Sequence, residues 1–295
     1  MTLDLFIILG ASFIALIVGG LTGIFGIGGG FLTTPALMIF LDIPGPIAVG
    51  TGIAMMCFTS SFAIYKRRGS DTINFKLAFI LAIASSIGVI VGMYFLEKLK
   101  HVQPLVIMGK EHIAVQYILL LVFVFLLLGI AIIMMIDFLA GKDKTNPHIG
   151  WFSKIPFPPY IQLKFLHVPT LPLIPVLLLG TIIGILTGFL GIGGGVILLP
   201  ALIYMIGQQV PKAAGTSLMI VWFSTLVGVT GHLRSGNVSI FLLIAMLAGG
   251  LIGTHYGTVI GLKMHDHKLR FYFSFVVAAT VLIVLFKIIN ITFYN

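Results

Sequence analysis

Residues 19–37 read GGLTGIFGIGGGFLTTPAL, and residues 184–202 read GILTGFLGIGGGVILLPAL. The two stretches coincide at a shift of 165. The same shift carries Ala48, Val49, Gly50 and Thr51 onto Ala213, Ala214, Gly215 and Thr216, and Gly88 and Gly92 onto Gly253 and Gly257. Apolar segments resemble one another easily, but matched glycine, proline and threonine over so long a stretch mark an internal duplication.

The solvent for most of this chain is lipid. Of 295 residues, 59% are hydrophobic and 8% charged, with a mean hydropathy of +1.18. A soluble domain carries about 25% charged residues to cover its surface. Apolar runs at residues 3–21, 77–95, 115–135, 173–190, 240–260 and 271–289 are each near or above the length that crosses a hydrocarbon core. The fold class is therefore all-α integral membrane, with roughly 8 to 10 membrane segments. The net charge of +9 is spread over short loops between spans, where it sets orientation and meets anionic lipid; it is not a nucleic-acid footprint. Cys57 alone cannot form a disulfide within the chain and reads as a small buried hydrophobe. The amino terminus, Met1-Thr2-Leu3-Asp4, lacks a basic region and a cleavage site, so the first run reads as a retained span.

Three segments follow from the duplication: a first transmembrane repeat at 1–140, an interfacial linker at 141–171, and a second repeat at 172–295. Each copy holds a span, a glycine-rich break, a short apolar segment (31–41 and 196–206) and three fuller spans. The linker sets Pro156, Pro158 and Pro159 beside Trp151, Phe152 and Tyr160, a composition that resists helix and suits the membrane interface.

Whether the copies are parallel or inverted depends on the short segments. Eleven residues at about 1.5 Å each reach only halfway across, which favours a dip and return. Charge favours a full crossing. Crossing gathers Lys66, Arg67, Arg68, Lys76, Lys142, Lys144, Lys154, Lys164, Lys212, Lys263, Lys268 and Arg270 on one side, leaving Lys98, Lys100, Lys110 and Arg234 opposite. Dipping nearly equalises the two sides. The positive-inside rule therefore points to inverted copies, with the Arg67 and Lys154 loops cytoplasmic and both termini external.

The breaks carry the candidate chemistry. Glycines at 26, 28, 29 and 30 would each weaken a continuous helix by about 1 kcal/mol, and unwound backbone at membrane depth must face protein or a wet cavity. A helix beginning there offers free N–H groups and a positive dipole end to an anion. The candidate substrate-binding residues are accordingly Gly28, Gly29, Gly30, Thr33, Thr34, Thr51, Gly193, Gly194, Gly195, Thr216 and Ser217. The competing reading is close helix packing, which is the preferred one for Gly88/Gly92 and Gly253/Gly257.

All eight acidic residues (Asp4, Asp42, Asp71, Glu97, Glu111, Asp137, Asp143 and Asp266) fall in loops or at span ends, which disfavours cation transport. No cofactor or metal site is read from the chain. His255 lies deep in a span, either as a proton-coupling group or as a neutral histidine bonded to a neighbouring helix. Lys287 is expected to snorkel to the interface.

The twin stretches, each followed by a proline (Pro35, Pro200) and a Gly-Thr pair (Gly50-Thr51, Gly215-Thr216), resemble the sulfite exporter TauE/SafE family over nearly the whole chain. The resemblance implies a permease of the prokaryotic cell membrane for sulfur-containing anions such as sulfite, sulfonates or related organic acids. One departure is that Lys66-Arg67-Arg68-Gly69 in the first copy faces Gly231-His232-Leu233-Arg234 in the second. The expected partners are thus the lipid bilayer and a small anion, moved by alternating access. An anion channel and a carrier of non-sulfur carboxylates are the alternatives. An enzyme is disfavoured: Gly26-x-Gly28 has Phe31 where a dinucleotide loop needs a third glycine, and no hydrolase or phosphate-loop motif is present.

Overall fold

The computed structural model describes residues 5–103, 105–107, 110–112, 114–139, 150–163 and 170–293. Asp4, Asp143, Lys142, Lys144, Lys164, the first four residues and much of the linker lie outside the described residues.

Eight helices are long and apolar enough to cross a membrane: α1 (Leu5–Phe25), α3 (Gly45–Arg67), α4 (Phe75–Lys100), α5 (Ala114–Leu139), α6 (Leu173–Leu190), α8 (Val210–Arg234), α9 (Ile240–Lys263) and α10 (Asp266–Phe293). Between them lie the short α2 (Gly30–Phe40) and α7 (Gly195–Pro200), the latter continuing as one wide turn over Ala201–Met205. The protein is all-α and membrane-integral. Phe6, Phe79, Phe125, Phe241, Phe275 and Phe286 face outward, as lipid-facing side chains do.

The helix starts are built alike at positions 165 apart. Pro46 and Pro211 occupy the first turns of α3 and α8, where a missing N–H costs nothing. Asn74 caps α4 by accepting from Leu77 N at 3.2 Å, and Ser239 caps α9 by accepting from Leu242 N at 3.4 Å.

Helices α3 and α8 form the centre, with 67% and 61% of their spans buried against 28–44% in the other six. Around them α1 packs on α9, α4 on α6, and α5 on α10. The first two seams are glycine-lined. A methyl group on Gly19 would overlap the Gly250 carbonyl, one on Gly184 the Ser85 carbonyl, and one on Gly88 the Thr181 carbonyl. Close backbone approach replaces the hydrophobic drive that lipid does not supply.

Contacts across the bundle fix helix directions. Thr51 near the start of α3 accepts from Ser239 N at 3.1 Å, so α3 and α9 start at one end. Thr216 near the start of α8 accepts from Asn74 N at 3.0 Å, so α8 and α4 start at the other. Arg67 brings the end of α3 to the end of α1, donating to the Gly23 carbonyl at 2.8 Å. Helices α1 and α3 therefore run in the same direction, and α2 returns the chain between them. Eleven residues suffice because α2 starts partway along α1, with Gly29 against Val18 and Thr22, and Leu41 reaches Gly10. Length alone misjudged that return.

Two antiparallel hairpins were not expected from the sequence: β1 (Leu105–Ile107) with β2 (Lys110–His112), and β3 (Tyr160–Gln162) with β4 (Thr170–Pro172) in the linker. The linker also holds one tight helical turn, Trp151–Lys154. Lys287 Nζ lies 3.5 Å from a carboxylate oxygen of the exposed Asp42, so it ties the end of α10 to the turn after α2.

Candidate functional site

Each break is a run of left-handed glycines: Gly26, Gly28 and Gly29 at φ of 72°, 74° and 74°, and Gly191, Gly193 and Gly194 at 72°, 67° and 73°. Only glycine adopts these values without strain, which explains why the matched stretches keep glycine at those positions. The chain reverses within five residues and enters α2 or α7 directly, with Gly29 and Gly194 as the capping residues.

The two breaks meet. Gly30 abuts the Gly191 carbonyl and Gly195 abuts the Ile27 carbonyl. Each break also rests on a central helix of the other half, Gly26 on Ala214 of α8 and Gly191 on Val49 of α3. Gly28 and Gly193 both lie against Met56 and Val221, which stand at the midpoints of α3 and α8. The junction is thus at mid-depth in the bundle.

Its backbone is rich in unused donors. Among the described residues, no acceptor receives the N–H groups of Ile27, Gly28, Gly29, Gly30 or Phe31, nor those of Ile192, Gly193, Gly194, Gly195 or Val196. All ten residues are buried. Buried N–H groups are paired in the great majority of proteins, so ten unpaired ones at one junction form an unusually strong donor field. The starts of α2 at Gly30 and α7 at Gly195 also bring two positive dipole ends to the junction without a basic side chain.

The candidate hydroxyls are all at this junction or beside it, and most are committed. Thr33 donates to the Gly29 carbonyl at 3.2 Å, Thr34 to the Gly191 carbonyl at 3.3 Å, and Ser217 to the Gly26 carbonyl. Thr34 and Ser217 therefore pin each break to the opposite half. Thr51 and Thr216 instead hold the N–H groups of Ser239 and Asn74. Thr51→Val and Thr216→Val are each expected to lower stability by about 1–3 kcal/mol, because each leaves a donor unpaired. Chemical denaturation of the purified protein checks this.

His255 is not part of the junction. It sits on α9 with its ring 6.3 Å from that of Phe62 and 5.2 Å from that of Tyr256. Phe62 follows Met56 by six residues along α3, about 9 Å away.

Sequence reasoning missed four residues here. Met56 and Val221 join the two breaks, and their midspan positions in the third segment of each copy were the available signal. Arg67 and His232 are buried bases at opposite ends, and they coincide at the shift of 165.

Residues 11–284 match the family model described as sulfite exporter TauE/SafE. The chain belongs to the sulfite exporter TauE/SafE family. As a TauE/SafE family member it is a multi-pass membrane transporter and not an enzyme. Relatives share the description. It is 30% identical over 263 residues to the probable membrane transporter protein YjnA of Bacillus subtilis, covering 87% of this chain and 91% of that one. It is 25% identical over 265 residues to the probable membrane transporter protein YunE of the same organism, covering 85% and 87%. An archaeal relative, the probable membrane transporter protein MJ0441 of Methanocaldococcus jannaschii, is 27% identical over 284 residues, covering 88% and 89%. No solved structure matches this TauE/SafE chain.

Proposed function

We propose that this transporter carries a small anion, a sulfur-containing one such as sulfite, a sulfonate or a related organic acid, across the plasma membrane of a prokaryotic cell. The observation that carries this reading is the pair of glycine breaks meeting at mid-depth with ten buried, unpaired N–H groups. An oxyanion satisfies such donors without any basic side chain, and glycine lets its oxygens reach the backbone.

Alternating access fits the same geometry. The contacts Gly19 with Gly250 and Gly184 with Ser85 map onto one another at the shift of 165, as do Thr51 with Ser239 and Thr216 with Asn74. These reciprocal contacts, with helix starts at opposite ends, support two inverted repeats at 1–140 and 172–295 joined by the linker 141–171. Rocking one set of helices against the other about the junction would then expose it to each face in turn.

Uptake into proteoliposomes across a panel of sulfite, sulfonates and carboxylates tests the substrate class. Saturable uptake stimulated by counter-substrate is expected, strongest for a sulfur oxyanion. Ohmic single-channel current would replace the carrier reading with a channel, and preference for acetate or lactate would remove the sulfur specificity. The orientation has its own check, by cysteine labelling at Ser70, Ser153 and Asn295 in a Cys57→Ala background. Ser70 and Ser153 are expected to label from the cytoplasm and Asn295 from outside. Labelling of all three from one side would defeat the inverted arrangement.

A further inference from the structure

Arg67 and His232 fall on one another at the shift of 165, and both are buried, at 2% and 1% exposure. Arg67 ends α3 and reaches the last turn of α1, where its Nη2 donates to the carbonyls of Gly23 at 2.8 Å and Ile24 at 3.4 Å. His232, in the last turn of α8, lies against the backbone of Gly188, the residue of α6 that matches Gly23. Each base therefore stands where a helix ends and a glycine break begins. Arg67 is at the end of the bundle where α1 finishes, and His232 is at the opposite end.

Neither side chain is fully paired in good geometry. Arg67 Nε is buried without a hydrogen-bond partner, and His232 has Asn237 Nδ2 at 3.4 Å from its Nδ1 and a contact with the Gly188 backbone that falls short of a well-aligned bond to Nε2. Among the described residues no carboxylate pairs with Arg67. Carbonyls at a helix terminus offset part of its charge but do not neutralise it. A buried charge is normally paired, because desolvating it alone is costly. Capping α1 accounts for one nitrogen of the guanidinium. It does not account for an uncompensated cation, which a neutral donor such as glutamine would avoid. At these exposures a lipid phosphate is out of reach, and a small oxyanion is the kind of counter-charge that fits.

We propose that Arg67 and His232 are the two end stations of the anion path, each holding the anion between the central breaks and one face of the membrane. Arg67 does so with a permanent charge, and His232 only when protonated. This rests on the anion reading above. The titratable neighbours of His232 are Glu97 and Lys100 of α4, which pair with each other at 2.8 Å; Lys98 and His101 end the same helix, and Arg234 follows on α8. Helix α6 brings none. With Glu97 and Lys100 largely cancelling, protonation of the imidazole adds one positive charge to an end that already holds Lys98 and Arg234.

Binding of methanesulfonate, a monoanion throughout, is measured by calorimetry on purified full-length protein between about pH 8 and pH 4, the range in which a buried histidine takes up its proton. Arg67→Gln is expected to weaken binding at least about tenfold at every pH, and Arg67→Lys less than about threefold, as expected for loss and retention of a charged donor. Wild-type affinity is expected to tighten about tenfold as pH falls, with His232→Arg fixing the tight value, His232→Gln the weak one, and His255→Gln leaving the slope unchanged. Equal binding by Arg67→Gln, Arg67→Lys and wild type would overturn the proposal for Arg67, leaving the breaks as the site. A flat wild-type profile, or an unchanged slope in His232→Arg, would overturn it for His232. Wild-type protein that binds none of methanesulfonate, sulfite and acetate would sink this proposal and the anion reading together.

Discussion

Gly195→Ala is expected to leave no recoverable folded protein, while Gly129→Ala is expected to be stable and active. At Gly195 the added methyl group would occupy the space of the Ile27 carbonyl oxygen. That oxygen belongs to the other break and cannot rotate aside as a side chain would. An extra methyl group in a packed core ordinarily costs about 1–3 kcal/mol, and here relief requires shifting the backbone of a whole break. Gly129 on α5 has nothing within 4 Å, so alanine there meets no obstacle and favours the helix. Size-exclusion profiles of the detergent-extracted variants give the comparison. A monodisperse Gly195→Ala protein with normal yield would mean that the two breaks do not interlock.

Gly29→Ala and Gly194→Ala are expected to abolish the ligand-dependent rise in melting temperature while the variants still fold. Both positions have φ near 74°, so alanine costs about 1 kcal/mol of backbone strain. The nearest obstacles are side chains, Val18 and Thr22 for Gly29 and Ile183 and Thr187 for Gly194, and not the backbone of the opposite break as at Gly195. The added carbon meets these side chains and shifts the capping residue of each break, so its free N–H groups no longer converge on an oxyanion. Gly88→Ala makes the contrast: its obstacle is the Thr181 backbone, so yield and melting temperature fall while the ligand shift in the surviving protein persists. If Gly29→Ala and Gly194→Ala melt lower yet keep the full shift, the glycines serve packing alone.

The membrane spans were legible because lipid imposes long apolar runs, and the breaks because left-handed backbone demands glycine at Gly28, Gly29, Gly193 and Gly194. Donors that belong to the backbone leave no mark on composition, so only the glycines that expose them pointed to the breaks. Thr33, Thr34 and Ser217 sit beside the breaks and donate to backbone carbonyls, which the sequence could not announce, because a threonine or serine in an apolar span reads the same whether it meets a ligand or a carbonyl. Arg67 was read as loop charge because α3 runs several residues beyond its apolar core, and the position only becomes unusual once Gly23 is seen beneath it. Short hairpins such as Tyr160–Gln162 with Thr170–Pro172 lack the periodicity that would announce them.

The most extensive interfaces join α1 to α9, α4 to α6 and α3 to α8, so every main seam has one helix from each half of the chain. Neither half buries its main seams without the other. Expressed alone, residues 1–140 would expose the glycine edges of α1 and α4 with no mate, so both halves are expected to be needed in the bilayer before either packs.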